Sequence, residues 1–297
     1  MRDSLKKLLQ KTISLKYTLP YKEFDKISIT TLNDYCLDKS NEEDLVELIY
    51  NSIVDYCLKE SEINIEKLDR NQKYALKNRM RFEEDDSLTI KKAYGFYGET
   101  LLNCIVMHLF NTKKIIAKGF FYNILENSES KGYDSFHFLN NDNNIELWFG
   151  EAKMYSSLSA AVDKVLSNLS KALSVNYLNR NFRAIIEKYN NVEETELTPK
   201  IEELSNKIKD EDINVWNTIK EYNVKIVYPI FISYQMKNSN YDHLIKQTIK
   251  TIEKSIEKCT FANEINAEIL FILLPVTEMS KVKEGVIEWI CQEKSVK

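Results

Sequence analysis

The sequence predicts a mixed α/β (α+β) fold, in which helices flank a central mixed sheet. Two continuous apolar runs, residues 224–234 and 267–276, are typical of central strands buried on both faces. Between them, residues 242–258 repeat apolar side chains at helical spacing. Upstream, residues 132–140 and 145–153 alternate apolar and polar positions around an Asn- and Asp-rich turn, which predicts an antiparallel hairpin. A sheet that contains both the hairpin and the two central strands has antiparallel and parallel pairs.

Residues 1–90 precede these elements and form a predicted N-terminal accessory region. Ser40 and Glu43 provide a capping box for a helix with apolar side chains at helical spacing, and residues 27–31 are a candidate strand. Two alternatives remain open for this region. It is either a small domain that docks a partner or a set of further layers of the same fold.

Residues 91–297 form the second predicted unit, which contains the sheet. An apolar helix comes first, and after the hairpin a helix with an apolar stripe packs on the sheet. A charge-rich segment with Pro199 predicts a helical insertion. The further predicted elements are a helix over 98–110, a first strand over 115–124, helices over 157–174 and 280–293, and the insertion at about 180–222.

The register of the hairpin places two acids opposite each other. If the turn is symmetric about Asp142 and Asn143, Asp134 lies opposite Glu151. Cross-strand neighbours have Cβ atoms about 5 Å apart, so both carboxylates can reach one divalent cation. Alternation puts these acids and Lys153 at the charged end of a face that is otherwise apolar. The apolar members of this face are Phe136, Phe138, Ile145, Leu147 and Phe149.

Two interpretations of these three charges differ in what they imply. As a surface salt bridge, Lys153 and either acid would contribute at most about 1 kcal/mol. As a metal site, Asp134 and Glu151 hold Mg²⁺ or Mn²⁺, and Lys153 orients a water or neutralises the transition state. We favour the metal site, because charges at the rim of an aromatic face are costly unless they are paired or bind metal.

Glu99 is a candidate third acid of the site. It lies in the first turn of the predicted helix over 98–110, where the helix dipole favours a carboxylate. It either caps that helix or points at the site, and its position just before the strands favours the second alternative. Five of the six glycines also fall between residues 95 and 150, and glycine inside a strand marks a bulge or a close approach.

Composition excludes several classes of protein. The chain has 297 residues, of which 43% are hydrophobic and 29% charged, and no stretch resembles a signal peptide or membrane span, so a cytoplasmic protein is expected. Five scattered cysteines without CxxC spacing indicate neither a disulfide framework nor a zinc site. No phosphate-binding loop or GxGxxG occurs. The three histidines, His108, His137 and His243, are expected to be structural.

The net charge of −4 argues against a protein that coats nucleic acid through its overall field. A protein of this charge that acts on nucleic acid needs a local basic patch or a partner that delivers the nucleic acid. The lysines nearest the motif in sequence are candidates for part of such a patch, although individual lysines are more often solvated surface. They are Lys113, Lys114, Lys118 and Lys131.

The order of these elements and acids resembles the PD-(D/E)xK nuclease superfamily, whose restriction-endonuclease-like core is αβββαβ. Three longer phrases, YGETLL at 97–102, KGYDSFH at 131–137 and LWFGEAK at 147–153, resemble the HamA nuclease subunit of Hachiman anti-phage defence systems. The resemblance is strongest over about residues 95–175. One departure is that Tyr133 precedes Asp134, where the superfamily motif has proline.

The resemblance implies a set of roles and partners. Asp134 and Glu151 would be the metal ligands, Lys153 the catalytic lysine and Glu99 an accessory acid, with Mg²⁺ or Mn²⁺ as the cofactor. DNA would be the substrate, and a HamB-like superfamily 2 helicase would be the partner. The expected function is that of a metal-dependent deoxyribonuclease in an anti-phage defence complex. The alternative is a catalytically silent module that binds DNA and the helicase.

Overall fold

The computed structural model describes most of the chain. The described residues are 1–20, 27–34, 42–117, 122–123, 128–129, 132–141, 144–187, 203, 206, 214–236, 241–256 and 265–292. The helices are α1 (Asp3–Thr12), α2 (Glu42–Cys57), α3 (Leu68–Tyr74), α4 (Leu88–Ala93), α5 (Phe96–Leu109), α6 (Leu158–Ala172), α7 (Val175–Glu187), α8 (Val215–Glu221), α9 (Tyr241–Ile256) and α10 (Met279–Cys291). The strands are β1 (Ile13–Pro20), β2 (Ile27–Asp34), β3 (Lys113–Lys114), β4 (Tyr122–Asn123), β5 (Ser128–Glu129), β6 (Ser135–Asn141), β7 (Asn144–Tyr155), β8 (Lys225–Gln235) and β9 (Ala267–Val276).

A mixed sheet of seven strands forms the centre of the described part of the chain, in the order β1-β2-β9-β8-β7-β6-β3. The pairs β2–β9, β9–β8 and β8–β7 are parallel, whereas the pairs β1–β2, β7–β6 and β6–β3 are antiparallel. The predicted mixed α/β fold is therefore confirmed, as are the hairpin and the two central strands.

Helices cover both faces of this sheet. On one face, alternate side chains of β6 to β9 share a core with α6, α7, α8 and α9. On the other face, the intervening side chains of β7 to β9 pack against α1, α2, α5 and α10. Strands β8 and β9 are buried along almost their whole length, which explains their unbroken apolar sequence.

Residues before position 90 contribute to the same sheet and core. Strand β2 pairs in parallel with β9, and β1 adds an antiparallel edge beyond it. Helix α2 packs between α5 and α10, with Ile49 and Ile53 fully buried. The sheet thus continues across the predicted boundary at residue 90, while partner docking by this region stays a prediction.

Most predicted helices agree with the structure within two residues. Ser157 caps α6 by accepting a hydrogen bond from the Ala160 N–H, and the predicted apolar stripe of α6 is buried. The predicted insertion contributes most of α7 and all of α8, and most of residues 188–213 lies outside the described part. Within the described residues, no helix has the length and apolar character needed to cross a membrane.

Only part of the predicted first strand over 115–124 lies within the described residues, since 118–121 and 124 lie outside them. Pairing with β6 begins earlier, at β3, and is followed by a hydrogen bond from the Ile115 N–H to the Phe136 carbonyl at 2.8 Å. Tyr122 and Asn123, near the end of the predicted strand, form β4, which pairs with β5 in a separate two-stranded sheet.

A close approach between two strands explains the glycine at position 150. A Cβ built on Gly150 would lie 2.5 Å from the Pro229 carbonyl oxygen and 2.6 Å from the Pro229 ring. Proline has no N–H to donate, so β8 presses its ring against β7 at this point instead of making a ladder hydrogen bond. The main chain between Phe149 and Glu151 therefore tolerates no side chain.

We expect Gly150→Ala to lower the free energy of unfolding by about 1–3 kcal/mol, because the added methyl group must displace the β8 backbone. Gly98→Ala is the control, since its Cβ would meet the Ala152 Cβ at an ordinary 3.4 Å and alanine favours a helix. Urea denaturation of both variants measures the difference. Equal stabilities for the two would contradict this account of Gly150.

Candidate functional site

Asp134 and Glu151 lie opposite each other at the end of the β6–β7 hairpin. The register pairs Phe136 with Phe149 and Ser135 with Gly150, and it continues symmetrically to Asn141 and Asn144 at the turn. Asp134 immediately precedes β6, where its N–H donates to the Gly150 carbonyl at 2.8 Å. Its Oδ2 accepts a hydrogen bond from the Ala152 N–H at 2.9 Å. The structure thus brings the two predicted acids together.

Lys153 lies between the two acids. Its Nζ is 2.7 Å from Glu151 Oε1 and 4.0 Å from Asp134 Oδ2. The side chains of Lys153, Asp134 and Glu151 are 19%, 18% and 14% exposed, so this cluster is not a surface salt bridge. Burial alone would lower the pKa of Lys153, but the charges of Asp134, Glu151 and Glu99 outweigh it and raise that pKa above its usual value.

A buried tyrosine on the neighbouring strand contacts Glu151. The Tyr228 hydroxyl donates to Glu151 Oε2 at 3.2 Å, so the two oxygens of this carboxylate have different partners. Burial, reinforced by the charge of Glu151, raises the pKa of Tyr228 well above its usual value, which keeps the hydroxyl protonated and able to donate. Tyr228 is not among the residues predicted from the sequence, although a buried hydroxyl needs a partner.

Tyr133 anchors the chain just before Asp134. Its hydroxyl donates to the Ala172 carbonyl at 2.7 Å, and its ring stacks on Phe149 with centroids 5.4 Å apart. Its N–H donates to Asn181 Oδ1 at 3.2 Å, and a Cβ on Gly132 would lie 2.4 Å from that same oxygen. These contacts fix the chain before Asp134 by hydrogen bonding and packing.

The structure also brings Glu99 to this site. Helix α5 packs on β7 at Gly98, and Glu99 follows in the first turn of the helix. Glu99 Oε2 accepts a hydrogen bond from the Tyr56 hydroxyl on α2. The charge of Glu99 is close enough to contribute to the raised pKa of Lys153.

These groups open into a cleft of about 630 Å³ at the end of the sheet. Among the described residues, four lysines and two carboxylates line it, so it is basic although the whole chain carries a net charge of −4. The carboxylates are Glu99 and Asp134, and the lysines are Lys92, Lys153, Lys164 and Lys283. Glu151 is not among the residues that line the cleft, but its Oε1 lies 2.7 Å from the Nζ of Lys153, which does line it.

Two of these lysines come from helices that are distant in sequence. Lys92 Nζ lies 2.7 Å from Glu284 Oε1, and Lys283 Nζ donates to the Lys92 carbonyl at 2.9 Å. Helices α4 and α10 thus hold the two lysines together across a separation of 191 residues. No local pattern in the sequence predicts such a pairing.

The basic patch expected from sequence proximity is wrong at Lys114. This side chain is buried, and its Nζ donates to the carbonyls of Asp55 and Leu58 at 2.6 and 2.7 Å. Lys113 is exposed, but it is not among the lysines of the cleft. Lys118 and Lys131 lie outside the described residues.

His137 is a buried residue, which agrees with the structural role expected for it. It is 1% exposed, and its Nδ1 lies 3.3 Å from Thr112 Oγ1. Burial, with a smaller contribution from the Lys114 charge, lowers its pKa from 6.5 to about 3. The ring is therefore neutral at physiological pH and has no contact with Asp134.

The donor set of the site suits a hard divalent cation. Asp134 and Glu151 present carboxylate oxygens, and Mg²⁺ is held in proteins by one or two carboxylates together with water and substrate phosphates. Within the described part of the chain, no three His, Cys, Asp or Glu side chains cluster closely enough to enclose an ion by themselves. The residues present therefore fit an open site, completed by a substrate, and not a closed structural one.

The fold and this cluster define a class of protein. It is a mixed α/β protein with a nuclease-like core, in which an aspartate and a Glu-x-Lys motif meet at the end of the β6–β7 hairpin. A family model described as HamA matches residues 6–290, nearly the whole chain. The chain belongs to the HamA family, of the Hachiman anti-phage defence system. Among curated proteins, none matches the chain.

Because His137 is neutral in the fold and ionises near pH 6.5 when unfolded, the unfolded chain binds one more proton between about pH 6.5 and 3. Stability contributed by the buried neutral ring is therefore lost as the pH falls through this range. We expect His137→Gln to show a shallower loss of unfolding free energy with acidification than the parent protein. Denaturation at a series of pH values measures this, with His243→Gln as the exposed control. Parallel curves for parent and His137→Gln would contradict it.

Proposed function

We propose that this HamA family member is a Mg²⁺- or Mn²⁺-dependent deoxyribonuclease and the effector of an anti-phage defence complex. The observation that carries the proposal is the Lys153 ammonium, flanked by the Asp134 and Glu151 carboxylates at the end of a lysine-lined cleft. A phosphodiester is an anion, so the lysines favour its entry while the two acids provide oxygens for a cation.

Each group of the site would have a separate role in phosphodiester hydrolysis. Asp134 and Glu151 would hold the cation, which when bound polarises the phosphate and lowers the pKa of a water. Lys153 Nζ, 2.7 Å from Glu151 Oε1, places positive charge where negative charge accumulates in the transition state. Tyr228 and the Ala152 N–H hold the two carboxylates in fixed orientations, so little reorganisation is needed when the substrate arrives.

The partner expected for such an effector is a HamB-like superfamily 2 helicase. This proposal rests on membership of the HamA family. A helicase separates duplex strands and would deliver DNA to the cleft of a protein whose own net charge is −4.

A catalytically silent module that binds DNA and the helicase is the second candidate. The observation that favours it is that both oxygens of the Glu151 carboxylate already have partners, the Lys153 ammonium and the Tyr228 hydroxyl. The two candidates differ in whether Glu151 matters for cleavage, and the following variants separate them.

We expect Glu151→Gln, Asp134→Asn and Lys153→Ala each to reduce DNA cleavage by about a hundredfold or more, because the first two remove a carboxylate that would hold the cation and the third removes the positive charge that stabilises the transition state. Glu146→Gln is the matched control, since Glu146 also lies on β7 and pairs with a lysine, Lys225, but away from the cleft. Cleavage is followed on plasmid, linear and single-stranded DNA with Mg²⁺ or Mn²⁺. Retained cleavage in the Glu151 and Lys153 variants would contradict the assignment of the catalytic site.

Binding of the cation has a readout that does not depend on cleavage. A ligand that binds the folded state at about one hundred times its Kd stabilises it by about 2.7 kcal/mol. We therefore expect saturating Mn²⁺ to raise the unfolding free energy of the parent and of Glu146→Gln, and to have little effect on Asp134→Asn. An equal stabilisation of all three proteins would show that the cation binds elsewhere.

A further inference from the structure

An exposed aromatic residue stands beside the acid and lysine cluster. Tyr155, the last residue of β7, is 38% exposed and lines the cleft. It follows Lys153 by two positions, so the alternation of the strand directs both side chains to the same side. Single exposed tyrosines are ordinary on protein surfaces, but this one lies inside the basic cleft and next to the groups that would act on a phosphodiester.

The lysines of the cleft come from both faces of the sheet. Lys92 on α4 and Lys283 on α10 belong to the helices on one side. Lys164 lies on α6, which packs against the other side. The cleft is thus a passage across the end of the sheet, with Asp134 and Lys153 between lysines on its two sides. Such a passage suits a phosphate chain that runs from one side to the other.

An aromatic ring can distinguish a single strand from a double strand, which lysines cannot. Phosphate contacts are similar for single and double strands, whereas a tyrosine stacks on a base whose face is bare. Inside a duplex, both faces of each base are covered by the neighbouring bases. A ring two residues from Lys153 is therefore useful for a strand that is unpaired at the point of cleavage.

We propose that the cleft binds unpaired DNA, with a base stacked on Tyr155 and phosphates held by Lys92, Lys164 and Lys283. This inference rests on the proposed nuclease function and adds its substrate class. It also explains how a chain with net charge −4 retains DNA, since stacking and a few local lysines replace a broad positive surface.

The test compares the binding of two DNA probes by fluorescence anisotropy in EDTA, which withholds the cation needed for cleavage. One probe is a labelled single strand, and the other is a duplex of equal length closed at both ends by non-nucleotide linkers. We expect the full-length parent to prefer the single strand. Tyr155→Ala should weaken single-strand binding about tenfold and leave duplex binding within about twofold, because stacking on one base contributes about that much.

Two further variants separate stacking from general effects. Tyr155→Phe keeps the ring and should bind the single strand as the parent does. Tyr74→Ala removes a similarly exposed tyrosine, 43% exposed, that does not line the cleft, and should have no effect. Lys283→Gln should weaken binding to both probes and reduce its salt dependence.

Each outcome bears on the inference or on the nuclease function separately. Equal affinity for the two probes, a loss in Tyr155→Ala that is shared by both, or no binding of either probe would overturn the inference. Cleavage that depends on Glu151 but is indifferent to Tyr155 would leave the nuclease function intact and reject unpaired DNA. Ring-dependent binding without cleavage would reject the nuclease function and retain the binding site.

Discussion

The double pairing of β7 is the constraint on which the site depends. This strand is antiparallel to β6 on one side and parallel to β8 on the other. The first pairing sets Asp134 opposite Glu151, and the second sets the Tyr228 hydroxyl against Glu151. A slip of one residue in either register would turn these side chains to the opposite face. The contact of Gly150 with Pro229 opposes such a slip, because the neighbouring positions of β7 carry side chains that do not fit there.

Because the charged side chains of the site are buried, the register of β7 also determines how strongly their charges interact. The Asp134, Glu151 and Lys153 side chains are each less than one-fifth exposed, so water screens their charges poorly. Their positions then depend on specific partners, among them the Ala152 N–H and the Tyr228 hydroxyl. The sheet positions the two acids and Lys153, while the other lysines of the cleft come from helices that pack on both faces of the sheet.

The sequence predicts the parts of the site that are local and misses those that are not. The opposition of Asp134 and Glu151 follows from one turn and the period of two, so counting residues was enough. Lys92 and Lys283 meet across 191 residues, and their pairing is a property of the packed helices. The contact of Tyr228 with Glu151 also depends on the pairing of two strands that are far apart in sequence, so no local pattern predicts it.

The Lys153 ammonium also affects the electrostatic cost of the folded hairpin. Two carboxylates that face each other in a poorly hydrated place repel, and this repulsion opposes folding unless a positive charge offsets it. Here the strand that carries Glu151 also carries such a charge, 2.7 Å from the Glu151 carboxylate. The folded molecule therefore contains its own internal counter-ion, so the closeness of the two acids does not by itself require a bound ion.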